Sequence, residues 1–253
     1  MGRWSIARVD EVHVVTMTSN KVNAMNGEFF GDLQAALAEL QSGDALPVVL
    51  TGHGRCFCAG LDLRELYDLD RGTLTSFVDR LDETILAWFS LSRPTVAAVN
   101  GHAIAGGCVL ALACDLRVAV DRDATVGVNE VQVGIPFPAV PLAIMRHTLS
   151  PAHAREVMLF GRLYAPSEAL GRGLVDEIVP PSDVIARAVA VARSVALDSL
   201  EAYATLKAHL LAPALAEYAA TREQVNREFL DVWFSECGRR RVGEVRERLL
   251  RRS

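Results

Sequence analysis

Residues 100–115 read NGHAIAGGCVLALACD and join a predicted buried strand, residues 93–99, to a predicted buried helix, residues 108–113. The helical part has no polar face, which is typical of a helix inside a protein. The turn between the two elements ends in the pair Gly106-Gly107. The first turn of a helix has backbone N–H groups without partners, and glycines let another molecule approach those donors closely. The turn therefore has one of two roles. Its N–H groups bind an oxyanion, or its glycines only permit a tight turn and close packing of the helix.

Residues 52–62, GHGRCFCAGLD, form a second glycine turn between an apolar strand, residues 47–51, and a helix that begins at residue 63. Its glycines do not fit the dinucleotide-binding fingerprint, because Phe57 stands where the third glycine belongs. We therefore exclude a Rossmann nucleotide site. Asp62, directly before the helix, is expected either to cap its N-terminus or to bind a ligand. A second glycine turn at a helix start favours the oxyanion interpretation of both.

Strands and helices alternate along the chain, which predicts an α/β fold. The apolar patterns predict strands at residues 11–18, 47–51, 93–99, 115–120 and 175–179. They predict helices at residues 27–41, 63–67, 71–91, 108–113, 150–160 and 166–174. Beyond residue 182 the sequence is rich in alanine, leucine and arginine, which predicts a helical C-terminal region that Pro213 splits. We divide the chain into a core, residues 1–190, and this helical region, residues 191–253.

The composition is that of a globular protein without a positive charge bias. The chain has 253 residues, of which 51% are hydrophobic, and a formal net charge of −5 at pH 7. The N-terminal segment has no apolar signal core, and the apolar region at residues 103–114 is too short to span a bilayer. The five cysteines lie mostly in apolar surroundings without zinc spacing, so we expect reduced core residues and no metal site. We expect a cytoplasmic protein that binds neither nucleic acid nor a membrane.

Residues 126–138, VGVNEVQVGIPFP, are apolar except for Asn129, Glu130 and Gln132. Because a glycine and two prolines follow these residues, we expect an irregular, half-buried loop. A carboxylate in such surroundings is costly unless it is paired or partly protonated, which makes Glu130 a candidate general base. The alternative is a surface strand in which Glu130 points outward and the valines point inward.

Four sequence blocks resemble the crotonase (enoyl-CoA hydratase/isomerase) superfamily and occur in family order. They are RCFCAGLDLREL at residues 55–66, RPTVAAVNGHAIAGGCVLALACDLRVA at 93–119, VGVNEVQVGIPFP at 126–138 and LFGRLYAPSEALGRGLVDEIVP at 159–180. The C-terminal helices match the family more loosely. The resemblance implies a spiral of repeated β-β-α units, with a C-terminal α-helical region that mediates trimerisation. We therefore expect a homotrimer or a dimer of trimers.

The resemblance also implies where the substrate binds. The backbone N–H groups of Leu61 and Gly106 would form an oxyanion hole for the thioester oxygen of an acyl-CoA. Residues 59–62 lie where family members seat the adenine end of coenzyme A. Coenzyme A is part of the substrate, so we expect no separate cofactor. The substrate-binding residues that the resemblance implies are Ala59, Gly60, Leu61, Asp62, Leu66, Gly107, Val109, Val133 and Phe137.

Val109 occupies the position that separates two activities of the family. Hydratases carry a glutamate there and a second glutamate at the position of Glu130, whereas this chain keeps only the second. Adding water across a double bond is served by two carboxylates, and moving a double bond needs one base. The blocks GGCVLALACDLRVA and GVNEVQVGI are also similar to the mitochondrial type of Δ3,Δ2-enoyl-CoA isomerase. We expect an isomerase of fatty acid β-oxidation, in which Glu130 moves a proton from C2 to C4 of a 3-enoyl-CoA.

Two other functions stay open at this point. A hydratase-like or other crotonase enzyme could use Glu130 differently, and a non-catalytic homologue could bind acyl-CoA without chemistry. His53 and His102 lie beside the glycine turns and are expected as structural residues, as is Asp115 at a turn. The basic C-terminal residues form either a solvated helix face or contacts to the phosphates of coenzyme A. These residues, with Lys21 and Arg55 as further candidates, are Arg239, Arg240, Arg241, Arg246, Arg248, Arg251 and Arg252.

Overall fold

The computed structural model describes residues 4–195 and 200–251. The strands are β1 (Ser5–Val9), β2 (Val12–Thr16), β3 (Val48–Thr51), β4 (Cys56–Cys58), β5 (Thr95–Val99), β6 (His102–Ile104), β7 (Leu116–Val120), β8 (Val126–Gly127) and β9 (Glu177–Val179). The helices are α1 (Gly27–Ser42), α2 (Leu63–Leu66), α3 (Arg71–Phe89), α4 (Gly106–Leu112), α5 (Glu130–Val133), α6 (Ala139–Thr148), α7 (Pro151–Phe160), α8 (Pro166–Leu170), α9 (Val184–Val195), α10 (Leu200–Trp233) and α11 (Glu236–Leu250).

Two sheets organise the fold. Six strands pair in the order β1-β2-β3-β5-β7-β9, and three strands pair in the order β4-β6-β8. Only the β1–β2 pair is antiparallel among the strand pairs of the described chain. Strands β3, β5 and β7 of the larger sheet are each followed directly by a strand of the smaller sheet. This repeated step from one sheet to the other confirms the predicted α/β fold.

Helix α4 is the buried centre of the molecule. It contacts strands of both sheets and packs against α6. Every residue from Gly107 to Leu112 is buried, as expected for a helix without a polar side. The helix starts at Gly106, two residues earlier than the sequence pattern predicted. The carboxyl end of β6 and the amino end of α4 are thereby joined by the single residue Ala105.

Helices cover the outer faces of the sheets. Helix α9 lies on strands β2, β3, β5 and β7 of the larger sheet, and α10 packs against α3 and α6. The C-terminal helical region is therefore present as predicted, while the division of the chain at residue 190 stays a prediction. In the described part of the chain, none of the helices has the length and apolar character needed to cross a membrane.

The prediction that Pro213 splits the C-terminal region was wrong. Helix α10 runs without interruption from Leu200 to Trp233 and contains this proline. A proline inside a helix leaves the carbonyl four residues earlier, here that of His209, without its usual partner. Both Pro213 and His209 are exposed, so water can hydrate the freed carbonyl while the opposite face of the helix stays packed.

Residues 126–138 also differ from the predicted irregular loop. They contain the short strand β8 and one helical turn, α5, that begins with Glu130 itself. Helix α6, which follows directly, was not predicted because distant side chains cap its first turn. Asp82 Oδ1 accepts from the Val140 N–H at 3.1 Å, and Asn226 Oδ1 accepts from the Ala139 N–H at 2.9 Å.

The first turn of α4 leaves no room for a side chain at Gly107, which yields a stability prediction. A Cβ atom on Gly107 would lie 2.0 Å from the Cys58 carbonyl oxygen, whereas one on Gly27, in the first turn of α1, would have no heavy atom within 4 Å. We expect Gly107→Ala to lower the free energy of unfolding by about 3 kcal/mol or more, because β4 and α4 must separate. The matched control Gly27→Ala should change it by less than about 1 kcal/mol. Urea denaturation followed by circular dichroism measures both, and equal values would contradict this packing.

Candidate active site

The two glycine turns are in contact with each other. Gly60 has a φ of +81°, a conformation that side chains disfavour. A Cβ atom on Gly60 would lie 2.8 Å from the Ala105 Cβ and 3.0 Å from the Gly106 nitrogen. The turn after β4 therefore touches the start of α4, which brings the backbone of Leu61 next to that of Gly106.

The backbone N–H of Leu61 is free to bind a ligand. Met25 N–H donates to the Gly60 carbonyl at 2.8 Å, and the Met25 carbonyl accepts from the Asp62 N–H at 2.9 Å. Successive N–H groups of an extended chain point to opposite sides, so the Leu61 N–H points away from Met25. Within residues 4–195 and 200–251, no hydrogen bond occupies this N–H.

The Gly106 N–H is the second free donor. Gly106 is the first residue of α4, where an N–H group has no partner inside the helix. Ala105 before it has a φ of 54° and a ψ of −127°, a combination that alanine rarely adopts. The Ala105 N–H donates to the Gly127 carbonyl at 2.8 Å, which holds this conformation and sets the direction of the following amide. In the described residues the Gly106 N–H has no hydrogen-bond acceptor.

Glu130 is a buried carboxyl group without an ion-pair partner among the described residues. It is 8% exposed, and its Oε2 atom has no hydrogen-bond partner in the part of the chain that the structure describes. Burial raises the pKa of Glu130 from 4.5 to about 8, and it outweighs hydrogen bonds from the backbone of Glu130 and Asn129, which lower the pKa. The group can therefore hold or release a proton near neutral pH, as a general base must.

One cavity brings these groups together. It has a volume of about 340 Å³ and is mostly apolar. Its lining residues are Ala59, Leu61, Leu63, Ile104, Ala105, Asn129, Glu130, Val133, Ile135, Leu163, Val245 and Leu249. A small apolar cavity with few polar groups at defined places is typical of a site for a small organic ligand. The chamber is thus lined by Leu61, which carries one of the two donors, and by Glu130, and Gly106 with the second donor directly follows the lining residue Ala105.

The predicted site residues other than Asp62 fall into three groups. Ala59, Leu61, Glu130 and Val133 line the cavity. Gly60, Gly106 and Gly107 form the turns beside it. Leu66, Val109 and Phe137 lie in the hydrophobic core and are not among the residues that line the cavity.

Asp62 caps the N-terminus of α2, as one of the two expectations had it. Its Oδ1 atom accepts from the Arg64 N–H at 3.1 Å, and its Oδ2 atom forms an ion pair with the Arg64 guanidinium at 2.9 Å.

His53, His102 and Asp115 have structural partners. His53 Nδ1 lies 3.1 Å from the Met17 carbonyl, His102 Nδ1 accepts from the Thr125 N–H at 3.1 Å, and Asp115 accepts from the Thr95 N–H at 2.7 Å.

Four of the five cysteines are buried free thiols, as predicted, and Cys237 is exposed. Burial raises the pKa of the Cys56 thiol to about 11 and that of Cys108 to about 12, so neither is a reactive thiolate at neutral pH. No cluster of metal-ligating side chains is found among residues 4–195 and 200–251.

The most informative residues that sequence reasoning missed are Val245 and Leu249, because they come from the last helix, more than 100 positions after Glu130. Their spacing of four, on a helix otherwise rich in arginine, is the only local signal for them. Of the arginines proposed near coenzyme A, Arg239, Arg241 and Arg246 contact other parts of this chain, and Arg252 lies outside the described residues.

Comparisons with known proteins identify the family of the chain. The family model described as "Enoyl-CoA hydratase/isomerase" matches residues 8–243. A Thermus thermophilus protein named "Putative enoyl-CoA hydratase" is 36% identical over 214 residues, 82% of this chain and 84% of that protein. The mouse (Mus musculus) protein named "Enoyl-CoA delta isomerase 1, mitochondrial" is 33% identical over 183 residues, 71% of this chain and 63% of that protein.

The crystal structure of human mitochondrial delta3-delta2-enoyl-CoA isomerase is similar to this chain, with a TM-score of 0.92 and 27% identity over 99% of each chain. The chain therefore belongs to the enoyl-CoA hydratase/isomerase family and is an enzyme of that family with the crotonase fold. The predicted resemblance to the isomerase branch is confirmed by the similarity to the mouse and human isomerases. The relatives carry both hydratase and isomerase names, so membership alone does not decide between the two reactions.

The unpaired Glu130 carboxyl group yields a prediction on stability. Its pKa is about 8 in the folded protein, against an ordinary value of 4.5, so the folded state keeps a proton that the unfolded state has lost. The contribution of this proton to the free energy of unfolding is complete below pH 4.5 and is lost as the pH rises to about 8. We expect Glu130→Gln to reduce the fall in the free energy of unfolding between pH 5 and pH 9 by about 2–5 kcal/mol.

Chemical denaturation at the two pH values measures this difference. In the exposed control Glu223→Gln, the free energy of unfolding should change with pH as it does in the parent protein, so that the slope against pH is the same. Asp82 contributes a slope of the same sign to all three proteins, because burial raises its pKa to about 6, so the comparison isolates Glu130. An unchanged slope in Glu130→Gln would show that the carboxyl group is not desolvated in the folded protein.

Proposed function

We propose that this enzyme is a Δ3,Δ2-enoyl-CoA isomerase, which converts a 3-enoyl-CoA into the 2-enoyl-CoA. The observation that carries the proposal is a single buried, unpaired carboxyl group, Glu130, in an apolar cavity beside two free backbone donors. Among the described residues that line this cavity, only Glu130 has a titratable side chain. One acid–base group is what a double-bond shift requires.

In the proposed reaction Glu130 acts first as a base and then as an acid. The C2 hydrogen of a 3-enoyl thioester is acidified by both the carbonyl group and the alkene. Glu130 takes this proton, the C2–H bond electrons form a dienolate, and the negative oxygen accepts hydrogen bonds from the Leu61 and Gly106 N–H groups. Return of the same proton to C4 forms the C4–H bond and leaves the double bond between C2 and C3, with Glu130 ionised again.

The apolar residue Val109 supports isomerisation over hydration. The family resemblance implies a glutamate at this position in hydratases, whereas here the position holds a valine that is 2% exposed and packed in the core. Two carboxylates manage the water and the proton in hydration, and valine does neither. Hydration stays the second candidate, because the Thermus thermophilus relative is named a putative hydratase. A non-catalytic acyl-CoA-binding protein is the third.

The proposal places the enzyme in the β-oxidation of unsaturated acyl chains, with an acyl-CoA thioester as substrate. The predicted binding roles of Asp62, Leu66, Val109 and Phe137 belong to this proposal. A homotrimer or dimer of trimers and a cytoplasmic location stay predictions.

Purified enzyme assayed with 3-hexenoyl-CoA and, separately, with 2-hexenoyl-CoA distinguishes the three functions. We expect isomerisation of the first, little hydration of the second, and a loss of about 10²-fold or more in kcat for Glu130→Gln, the usual scale for a removed general base. The surface variant Glu223→Gln should keep the parent activity. Efficient hydration with no isomerisation would favour the hydratase, and activity that is unaffected in Glu130→Gln would refute the assigned role of this residue.

The pH dependence of isomerisation follows from the same carboxyl group. Proton abstraction needs ionised Glu130, whose pKa burial raises to about 8. We therefore expect kcat/KM to rise about tenfold per pH unit below pH 8 and to level off above it. Steady-state rates between pH 5.5 and pH 9.5 measure the profile. A flat profile from pH 6 upward would mean that the free enzyme holds Glu130 already ionised, contrary to its apolar surroundings.

A further inference from the structure

The last helix of the chain, α11, forms one wall of the catalytic cavity. Val245 and Leu249 line the same chamber as Leu61 and Glu130. Helix α11 also contacts α2, which follows the oxyanion turn, and α5, which begins with Glu130. The wall that α11 provides is thus tied to both sides of the reacting centre.

Tyr67, directly after α2, is the first attachment point of α11. The guanidinium carbon of Arg239 lies 3.7 Å from the centre of the Tyr67 ring, and that of Arg246 lies 5.0 Å from it. Arg239 also donates to the Tyr67 carbonyl at 2.7 Å, and Arg246 pairs with Asp68. Stacking of two arginines on one tyrosine, with added hydrogen bonds, holds the helix in a fixed position.

The residues around α5 form the second attachment point. Arg241 donates to the Gln132 carbonyl at 2.8 Å. A Cβ atom on Gly134 would lie 2.7 Å from the Arg241 Cβ, so the backbone after α5 touches the helix directly. Because Glu130 begins α5, the distance between the carboxyl group and the α11 wall is fixed as well.

Val245 and Leu249 separate two chambers. A second cavity of about 340 Å³ lies next to the catalytic one, and the two share Asn129, Val133, Val245 and Leu249 in their linings. The catalytic chamber itself, also about 340 Å³, is near the lower end of the roughly 300–1,000 Å³ found for ligand pockets. Leu249 is 39% exposed, so it stands at the outer end of this partition.

The residues that line the catalytic chamber indicate which part of the substrate meets the partition. The thioester lies at the Leu61 and Gly106 donors, and C2 to C4 lie at Glu130, an assignment that rests on the proposed function. Val133, three residues after Glu130 in α5, lines the chamber together with Val245 and Leu249. This assignment leaves the part of the chamber lined by Val245 and Leu249 of α11 for the acyl carbons beyond C4.

We propose that Val245 and Leu249 are specificity-determining residues that end the acyl chamber and restrict the enzyme to short acyl chains. A longer acyl chain must either displace the Leu249 side chain or pass it to enter the neighbouring cavity. A methylene group that a hydrophobic pocket does not accommodate costs on the order of tenfold in affinity or kcat/KM. Shortening Leu249 joins the two chambers, so longer chains gain space in which to extend.

The test measures binding of three saturated thioesters, butanoyl-CoA, octanoyl-CoA and dodecanoyl-CoA, by titration calorimetry, alongside turnover of the corresponding 3-enoyl-CoA compounds. We expect the parent enzyme to bind dodecanoyl-CoA at least tenfold more weakly than butanoyl-CoA. Leu249→Ala should bring the two affinities within about threefold. The matched control Leu250→Ala removes a 51% exposed leucine one position later that does not line the cavity, and it should keep the parent profile.

Val245→Ala provides a second variant at the same wall and is expected to act in the same direction as Leu249→Ala. Parent-like chain-length profiles in both variants would overturn the proposal, as would a parent enzyme that binds dodecanoyl-CoA as tightly as butanoyl-CoA or binds none of the three. Binding of saturated thioesters involves no double bond. A chain-length effect without turnover of 3-enoyl-CoA would therefore refute the isomerase function while leaving the α11 wall supported.

Discussion

The first turn of α4 packs directly on the backbone of β4, and the arrangement of the site depends on this contact. With glycine at position 107, the helix approaches the Cys58 carbonyl so closely that any Cβ atom would collide with it. The same approach places Gly106 against Gly60, directly after Ala105 with its rare conformation. Two N–H groups from distant parts of the chain are left without acceptors in the described structure, side by side, by backbone packing alone. Because the donors belong to the backbone, the side chain of Leu61 is free to be apolar.

The two buried carboxyl groups of the described chain that have strongly shifted pKa values differ in their partners. Asp82 accepts hydrogen bonds from the Val140 N–H and the Asn226 amide and ties α3, α6 and α10 together, and its pKa rises only to about 6. Glu130 has one oxygen without a partner in the described residues, and its pKa rises to about 8. The difference in partners separates a structural carboxyl group from one that is available for chemistry. The free-energy cost of burying the Glu130 carboxyl group thus arises at a cavity where a substrate can bind.

Local patterns were sufficient to predict the parts of the fold that are stabilised locally. The apolar run of α4 indicated burial, and its residues from Gly107 to Leu112 are buried. Of the valines near Glu130, Val128 and Val133 are buried, whereas Val131 is 45% exposed. Strands β4 and β6 are three residues long and show too little periodicity to be recognised. Helix α6 is capped by side chains from two distant helices, and the continuity of α10 through Pro213 depends on packing against α3 and α6. Contacts between residues far apart in sequence decide these features, and one sequence does not reveal them.

The arginine-rich helix α11 makes contacts that its composition alone did not reveal. Its charges suggested a solvated face or contacts to phosphate, yet Arg239 and Arg246 stack on Tyr67 and Arg241 holds the Gln132 carbonyl. Guanidinium groups can do this because they are planar and weakly hydrated, so that they stack on aromatic rings and still donate hydrogen bonds. With the polar side clamped in this way, Val245 and Leu249 must face the chamber. The donors, the carboxyl group and the closing wall thus all come from one chain, although they lie far apart in its sequence.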